Sequence, residues 1–289
     1  MSKFLNPFTD IGFKRIFGQE ISKPVLIAFL NALLAGERNI VDVQYLDKEQ
    51  PGELADDRSL IYDVYCKLEN GDYIIVEMQN KSQPFFKNRS IYYISRSVSR
   101  QGEPGPEWRY DVKAVYMIAL LNFKRDDIST EFRTDVALMD MRHKTLFSDR
   151  IRLIYLQLPY FTKELDDCET LFEKLIYVLK NMDVLQRMPW LAQDAVFQKL
   201  ASIADVASLS KKERSDYDEN LRAYRDTIAV MEGQYLEGME KGEAKGRAEG
   251  EAKGRAEVAR NLIKLGMPIK QIAQTTGLSE EEVTALQRG

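Results

Sequence analysis

Two acidic residues interrupt an otherwise apolar stretch of the sequence, IYDVYCKLENGDYIIVEMQ at residues 61–79. Apolar runs rich in Val, Ile and Tyr flank ENGD, a turn pattern typical of a β-hairpin. Asp63 and Glu77 lie within these runs, and Gln79 follows Glu77 by two residues. Burying a charge is costly unless the charge is compensated. Because carboxylates are preferred ligands of Mg²⁺ and Mn²⁺, the pair predicts a divalent metal site and metal-assisted chemistry.

The length of the turn decides whether the two acids meet. A two-residue loop at Asn70 and Gly71 would send Asp63 and Glu77 to opposite faces of the hairpin. A three-residue loop at 69–71, with Gly71 in the left-handed conformation, places the acids opposite each other with their Cβ atoms ~5 Å apart. We predict the second register, because only that register keeps the even-numbered apolar residues of both strands on one core face, leaving a mixed face for the odd positions.

A plainer interpretation of the same pair stays open. Asp63 and Glu77 could form ion pairs with Lys67, Lys81 or an arginine on a solvated face, without a metal. The single histidine, His143, excludes multi-histidine metal sites. It is predicted to be a surface or loop residue, so a Ser-His-Asp or Cys-His site is not expected. We therefore expect any catalysis to depend on carboxylates, lysines and a hard metal ion.

Composition narrows the class of protein. The 289 residues are 44% apolar and 30% charged, with a net charge of -4, as in a soluble globular protein with a core. No apolar run reaches ~18 residues and the start has no apolar signal region, so we expect a cytoplasmic protein without a membrane partner. Cys66 and Cys168 are too few for a disulfide framework and are expected to be buried thiols. Any nucleic-acid binding must come from a local basic patch.

Apolar periodicity predicts an α/β fold around one mixed sheet. We expect a helix at 22–36, capped by Ser22, and a second helix at 85–101. Three strands are predicted between these helices and three after them, followed by a helical region. The predicted strands are 40–46, 59–68, 73–79, 112–123, 134–141 and 151–159, and the predicted later helices are 169–182, 195–206 and 211–239.

The C-terminal part has a different composition. GEAKGRAE occurs twice in tandem, at 242–249 and 250–257, with charges that pair at i,i+4. The recurring glycines oppose helix formation, so we predict a solvated, partly helical spacer. A close-packed helix pair that uses the small residues is the alternative.

The second half of ARNLIKLGMPIKQIAQTTGLSEEEVTALQ resembles a helix-turn-helix, with Ala273 in the first helix, Gly277 in the turn, and Val283 and Leu286 on the second helix. Ser279 and Glu282 fit a capping box. The second helix begins with Glu280, Glu281 and Glu282, which would repel phosphates, so the pattern favours a small packing or partner module over a DNA reader.

An Asp on one strand, a turn, and Glu-x-Gln on the next strand resemble the PD-(D/E)XK nuclease superfamily. More specifically, the chain resembles the recombination-promoting nuclease family, whose members are also described as PD-(D/E)XK transposases. Five segments carry this resemblance and occur in the family's order: NPFTDIGFKRIFG, YDVYCKLENGDYIIVEMQ, RSIYYISR, VKAVYMIALLNF and IRLIYLQLPYF. The resemblance implies a PD-(D/E)XK-like mixed central sheet flanked by helices. It also implies a magnesium-dependent DNA endonuclease, with Mn²⁺ as a substitute, associated with recombination in bacteria.

By motif position, the resemblance implies that Asp63 and Glu77 are metal ligands and that Gln79 occupies the catalytic lysine position. An amide can orient a water but carries no positive charge. Lys67, on the same predicted face, is our preferred source of that charge, with Lys81 as the alternative. Asp10 is a candidate accessory acid, and a helix N-cap is the alternative role for it.

The helix after the second acid supplies cations for DNA phosphates: Lys87, Arg89, Arg96 and Arg100, around Tyr92 and Tyr93. A solvated helix face is the plain alternative.

We expect a nuclease-like core at 1–163, a helical extension at 164–236, the spacer at 237–258 and the helix-turn-helix-like module at 259–289. Two other functions compete with the nuclease: a catalytically inactive DNA-binding or transposition accessory scaffold, and an interaction factor that acts through its tail. A homo-oligomer would suit a double-strand cut by one active site per chain.

Overall fold

The computed structural model describes residues 2–50, 60–191 and 193–288, which form two compact units, Met1–Thr227 and Ile228–Gly289. The strands of the first unit are β1 Val43–Tyr45, β2 Glu49–Gln50, β3 Leu60–Ile61, β4 Val64–Leu68, β5 Tyr73–Gln79, β6 Val115–Leu121, β7 Arg133–Asp140 and β8 Thr145–Gln157. Six of them form a mixed sheet at the centre of the unit, in the order β1-β4-β5-β6-β8-β7, and β2 and β3 form a separate two-stranded ladder.

The parallel centre of the sheet explains its most apolar strand. β6 runs parallel to both β5 and β8, while the other neighbouring strands are antiparallel. All seven residues of β6, VYMIALL, are buried, as expected for a strand covered on both faces. The mixed α/β architecture predicted from the sequence is confirmed.

Helices cover both faces of the sheet. One face packs against four helices around Phe17, Phe29, Ile176 and Phe197. The other face packs against the helix at Phe86–Ser99 through Phe86 and Ile94. The helices of the first unit are α1 Asp10–Phe17, α2 Lys23–Leu33, α3 Phe86–Ser99, α4 Leu171–Asn181 and α5 Ala195–Ala204, together with the start of α6, Lys211–Lys264.

Burial on both faces corrects the prediction of one core face and one mixed face for the hairpin. The odd-numbered residues Tyr65 and Ile75 are buried beneath α3. Alternation along a strand cannot reveal such a covering helix, because Tyr at an odd position fits both a wet and a packed surface. The odd face, which carries Glu77, is therefore a second hydrophobic core.

The hairpin has the predicted register. Gly71 has φ +91°, its N–H donates to the Leu68 carbonyl at 3.0 Å, and the Leu68 N–H donates to the Asp72 carbonyl at 2.8 Å. Val64 lies opposite Val76, which brings the preceding Asp63 opposite Glu77. The three-residue loop is therefore confirmed.

The prediction of one continuous strand at 59–68 is wrong, because the segment forms two separate strands, β3 and β4. Ser59 lies outside the described residues, Leu60–Ile61 pairs with Glu49–Gln50, and β4 starts only at Val64. Between them Tyr62 is buried, and its hydroxyl donates to the Tyr93 carbonyl in α3 at 3.2 Å. Because Tyr62 packs on the same side as Tyr65, the alternation does not continue through this segment.

The second unit contains the remainder of α6 with α7, Ile269–Thr276, and α8, Glu280–Arg288. Ala259, Ile272 and Val283 form its buried centre. The repeat, predicted to be partly helical, is helical throughout, and its Lys245 and Glu249 pair at 3.8 Å. Gly277 has φ +70° between α7 and α8, as a helix-turn-helix requires.

No helix within 2–50, 60–191 and 193–288 is long and apolar enough to span a bilayer.

Candidate active site

Asp63 and Glu77 are held together by the backbone of the hairpin. Glu77 is the fifth residue of β5, and Asp63 immediately precedes β4. The Asp63 N–H donates to Oε1 of Glu77 at 3.2 Å, and the Met78 N–H donates to Oδ2 of Asp63 at 2.8 Å. One oxygen of each carboxylate is thereby fixed, which orients the second oxygen of each without using another side chain.

Burial makes the two negative charges unfavourable. Glu77 is 2% exposed and Asp63 is half-buried. Burial raises the pKa of the Glu77 carboxyl above its ordinary value, and the neighbouring Asp63 raises it further. Burial also raises the pKa of Asp63, against the hydrogen bond from Met78 and the positive charges of Lys14 and Arg89, which lower it. Binding of a cation would relieve this repulsion.

Gln79 and Arg89 lie on the Glu77 side of the pair. Nε2 of Gln79 is 3.5 Å from Oε2 of Glu77, and Nη2 of Arg89 is 4.0 Å from the same oxygen. The guanidinium of Arg89 lies against the rings of Phe86 and Tyr93, 5.3 and 5.4 Å from their centroids. Its Nε is buried with no hydrogen-bond partner in the described part of the chain. Arg89 therefore brings a fixed positive charge to the site.

Lys67 is not brought to the acids. It lies opposite Tyr73 at the turn end of the hairpin, with Nζ 5.6 Å from the Tyr73 ring centroid. Four residues of extended strand separate Lys67 from Asp63, a distance of ~13 Å. Lys81 is exposed beyond the end of β5. The spacing in the sequence predicted that Lys67 shares the face of the acids, but Lys67 lies too far from them along the strand to contact them.

Asp10 lies at the beginning of α1. Thr9, not Asp10, is the N-cap of this helix, because the Thr9 hydroxyl accepts a hydrogen bond from the Gly12 N–H at 3.0 Å. Asp10 is paired with Lys14 at 2.5 Å, and its negative charge contributes to the raised pKa of Asp63. Asp10 is thus close enough to Asp63 to affect its charge, and its carboxylate is engaged by a lysine.

Two carboxylates suit a metal that retains several waters. No group of three His, Cys, Asp or Glu side chains with metal-binding geometry occurs among the residues that the structure describes. Mg²⁺ is commonly bound in proteins by one or two carboxylates together with waters and substrate phosphates. The buried, mutually repelling oxygens of Asp63 and Glu77 therefore fit such an ion.

The cations predicted to contact phosphates divide between two sides of α3. Arg89, Arg96 and Arg100 lie on one side of the helix by its 3.6-residue period. Lys87 lies elsewhere and pairs with Asp127 at 3.4 Å. The structure therefore groups three of the four predicted contacts.

A mixed sheet with an acidic pair on an antiparallel hairpin, followed by a parallel strand and flanking helices, defines a PD-(D/E)XK nuclease-like fold. The model of the PD-(D/E)XK nuclease family transposases matches residues 7–234, and the chain belongs to this family. The C-terminal helix-turn-helix domain of the Rpn/YhgA-like nuclease family matches residues 253–288. The comparison with curated proteins and the comparison with solved structures each gave no match.

Proposed function

We propose that the protein is a magnesium-dependent DNA endonuclease that hydrolyses phosphodiester bonds, with Asp63 and Glu77 as the metal ligands and Mn²⁺ as a substitute ion. The observation that carries this proposal is the buried carboxylate pair, held by reciprocal backbone hydrogen bonds. An enclosed pair with raised pKa values is costly to a protein that does not use it. A nuclease-family chain that retains this pair is best explained by metal-dependent cleavage.

The residues around the pair have complementary roles in this proposal. A divalent ion held by Asp63 and Glu77 would lower the pKa of a bound water and offset the charge of the phosphate. Gln79 would orient the attacking water, because its amide both donates and accepts hydrogen bonds. Arg89 would supply the positive charge that Gln79 lacks, contacting a non-bridging phosphate oxygen through its planar donors.

A second candidate is an inactive nuclease-like scaffold that binds DNA or assists transposition. Gln79 in the lysine position favours it, since the amide cannot replace the charge of a lysine. In either case DNA is the proposed partner and the cytoplasm the proposed location. Assembly into a homo-oligomer stays a prediction.

Plasmid cleavage tests the two candidates directly. Supercoiled DNA would be incubated with the wild type in Mg²⁺, Mn²⁺ or EDTA, beside Asp63→Asn and Glu77→Gln. Asp111→Asn is the matched control, because Asp111 is an exposed acid that pairs with Lys113. We expect cutting by the wild type and the control, and none in EDTA or with either site variant. Cutting that survives both site variants would refute the assigned ligands, and DNA binding without cutting in any metal would favour the scaffold.

A further inference from the structure

One side of α3 alternates aromatic and basic side chains. Phe85 at the N-cap, Arg89, Tyr92 and Arg96 follow at i, i+4, i+7 and i+11, and Arg100 continues the series at the C-cap. At 3.6 residues per turn these five side chains fall within an arc of about 80°. We call this set the aromatic–arginine stripe. It begins beside the acid pair, because Arg89 is the stripe residue that lies 4.0 Å from Glu77.

The two aromatic residues of the stripe are exposed. Phe85 is 75% exposed and Tyr92 is 47% exposed, whereas Phe86 and Ile94 on the other side of α3 are buried. Single exposed aromatic residues are ordinary on protein surfaces. Here, however, the rings are interleaved with arginines on a helix that contains no Asp or Glu. The stripe is thus both apolar and positively charged, and it is continuous with the candidate active site.

Paired and unpaired nucleic acids present different groups to such a surface. A duplex offers phosphates and base edges, while the faces of its bases are stacked on one another. A single strand exposes base faces, which stack on aromatic side chains while basic residues follow the phosphates. Arginines alone would suit either substrate. The exposed rings of Phe85 and Tyr92 add a contact that only unpaired bases can complete.

We propose that the aromatic–arginine stripe binds a single DNA strand, with bases stacked on Phe85 and Tyr92 and phosphates facing the arginines. The substrate would then carry unpaired nucleotides beside the bond that is cut. This inference rests on the proposed function for the position of the cut, but strand binding by the stripe does not require cleavage.

Binding would be measured with the full-length protein in EDTA, by fluorescence anisotropy of a labelled oligothymidine and of a blunt-ended duplex with the same number of nucleotides. The variants are Phe85→Ala, Tyr92→Ala and the double substitution. Phe147→Ala is the matched control, because Phe147 is 76% exposed on β8, outside the stripe. All three positions are exposed, so the substitutions leave the core intact.

We expect each stripe substitution to weaken oligothymidine binding by about tenfold, the loss typical of one base–aromatic stack. Duplex affinity should change by less than about threefold, and Phe147→Ala should bind both ligands as the wild type does. Arg96→Gln should reduce the salt dependence of single-strand binding by about 0.7 in the slope of log K against log salt.

Unchanged oligothymidine binding by the double variant would overturn the proposal. An equal loss on the duplex would also overturn it, because the rings would then not select unpaired bases. Preference for oligouridine by tenfold or more would reassign the strand to RNA and overturn the choice of DNA. Asp63→Asn should retain single-strand binding in EDTA. A failure to cleave both the plasmid and a partly unpaired DNA would therefore refute the proposed activity and leave strand binding by the stripe standing.

Discussion

Asp63 and Glu77 are each anchored by the arm of the hairpin that carries the other. The Asp63 N–H donates to Oε1 of Glu77 at 3.2 Å, and the Met78 N–H, adjacent to Glu77, donates to Oδ2 of Asp63 at 2.8 Å. Separation of the two carboxylates would break these hydrogen bonds between the two arms of the hairpin. Pairing of the strands, charge at the site and affinity for a cation are therefore linked.

Divalent metal should stabilise the wild type and not the site variants. Mg²⁺ or Mn²⁺ at 100 times its Kd should raise the free energy of unfolding by about 2.7 kcal/mol, because the ion binds the folded state. Asp63→Asn and Glu77→Gln remove a ligand charge and should lose most of this gain. Thermal denaturation with and without EDTA measures the shift. Equal shifts in all three proteins would place the metal elsewhere.

Without metal, Glu77→Gln should be more stable than the wild type at alkaline pH. The folded-state pKa of Glu77 is raised above its ordinary value of 4.5, so the folded chain holds a proton that the unfolded chain has lost. Stability of the wild type in EDTA should therefore fall as the pH rises above about 4.5, until the folded-state pKa is passed. Glu77→Gln should show a smaller fall. Melting temperatures across this range measure the difference, and identical pH profiles would contradict the burial of a charged Glu77.

Arg89, rather than Lys67, should be needed for the chemical step. Loss of one positioned donor at a reacting oxygen typically lowers kcat by about 10²–10³. We expect Arg89→Met to lower the single-turnover rate by this amount while retaining the metal-dependent rise in Tm. Lys67→Met should change the rate by less than about threefold, because Lys67 lies at the turn end of β4. A larger loss of rate in Lys67→Met than in Arg89→Met would instead identify Lys67 as the source of the positive charge.

Replacing the spacer glycines with alanine should strengthen α6. At Gly242, Gly246, Gly250 and Gly254, an added Cβ would meet no atom within 4 Å. Each exposed Gly→Ala change in a helix interior is worth about 1 kcal/mol. Circular dichroism on heating should show later loss of helix in the fourfold variant. Gly277→Ala is the opposite control, because φ of +70° disfavours a side chain. A loss of assembly in the fourfold variant would instead indicate helix packing through the glycines.

Local chemistry made several features of the site predictable. Gly71 and the alternation of apolar residues defined the register that places Asp63 opposite Glu77, and Ser279 with Glu282 formed the predicted capping box at 2.8 and 3.1 Å. His143 is exposed and pairs with Asp140 at 2.6 Å, as expected of a surface residue. In each case the deciding interaction lies within a turn or between neighbouring strands.

Long-range packing made the rest unpredictable. The break at Tyr62 depends on a hydrogen bond to α3, and the burial of Glu77 depends on that same helix covering β5. Arg89 reaches Glu77 from α3, twelve positions later in sequence. Periodicity shows that α3 has an apolar side, but it does not show which strand that side covers. The strand pattern therefore favours Lys67 as the source of positive charge, whereas the cation beside Glu77 is Arg89 of α3.

The tandem repeat in α6 makes the C-terminal unit adjustable in discrete steps. GEAKGRAE is eight residues long, so one copy adds about 12 Å and slightly more than two turns to a continuous helix. In-frame duplication or loss of a copy would rotate α7 and α8 by about 80° around the α6 axis relative to Ile228, without altering a residue that packs in the Ala259 cluster. A change in the number of repeats would thus change the direction in which α7 and α8 project from α6 while preserving their packing.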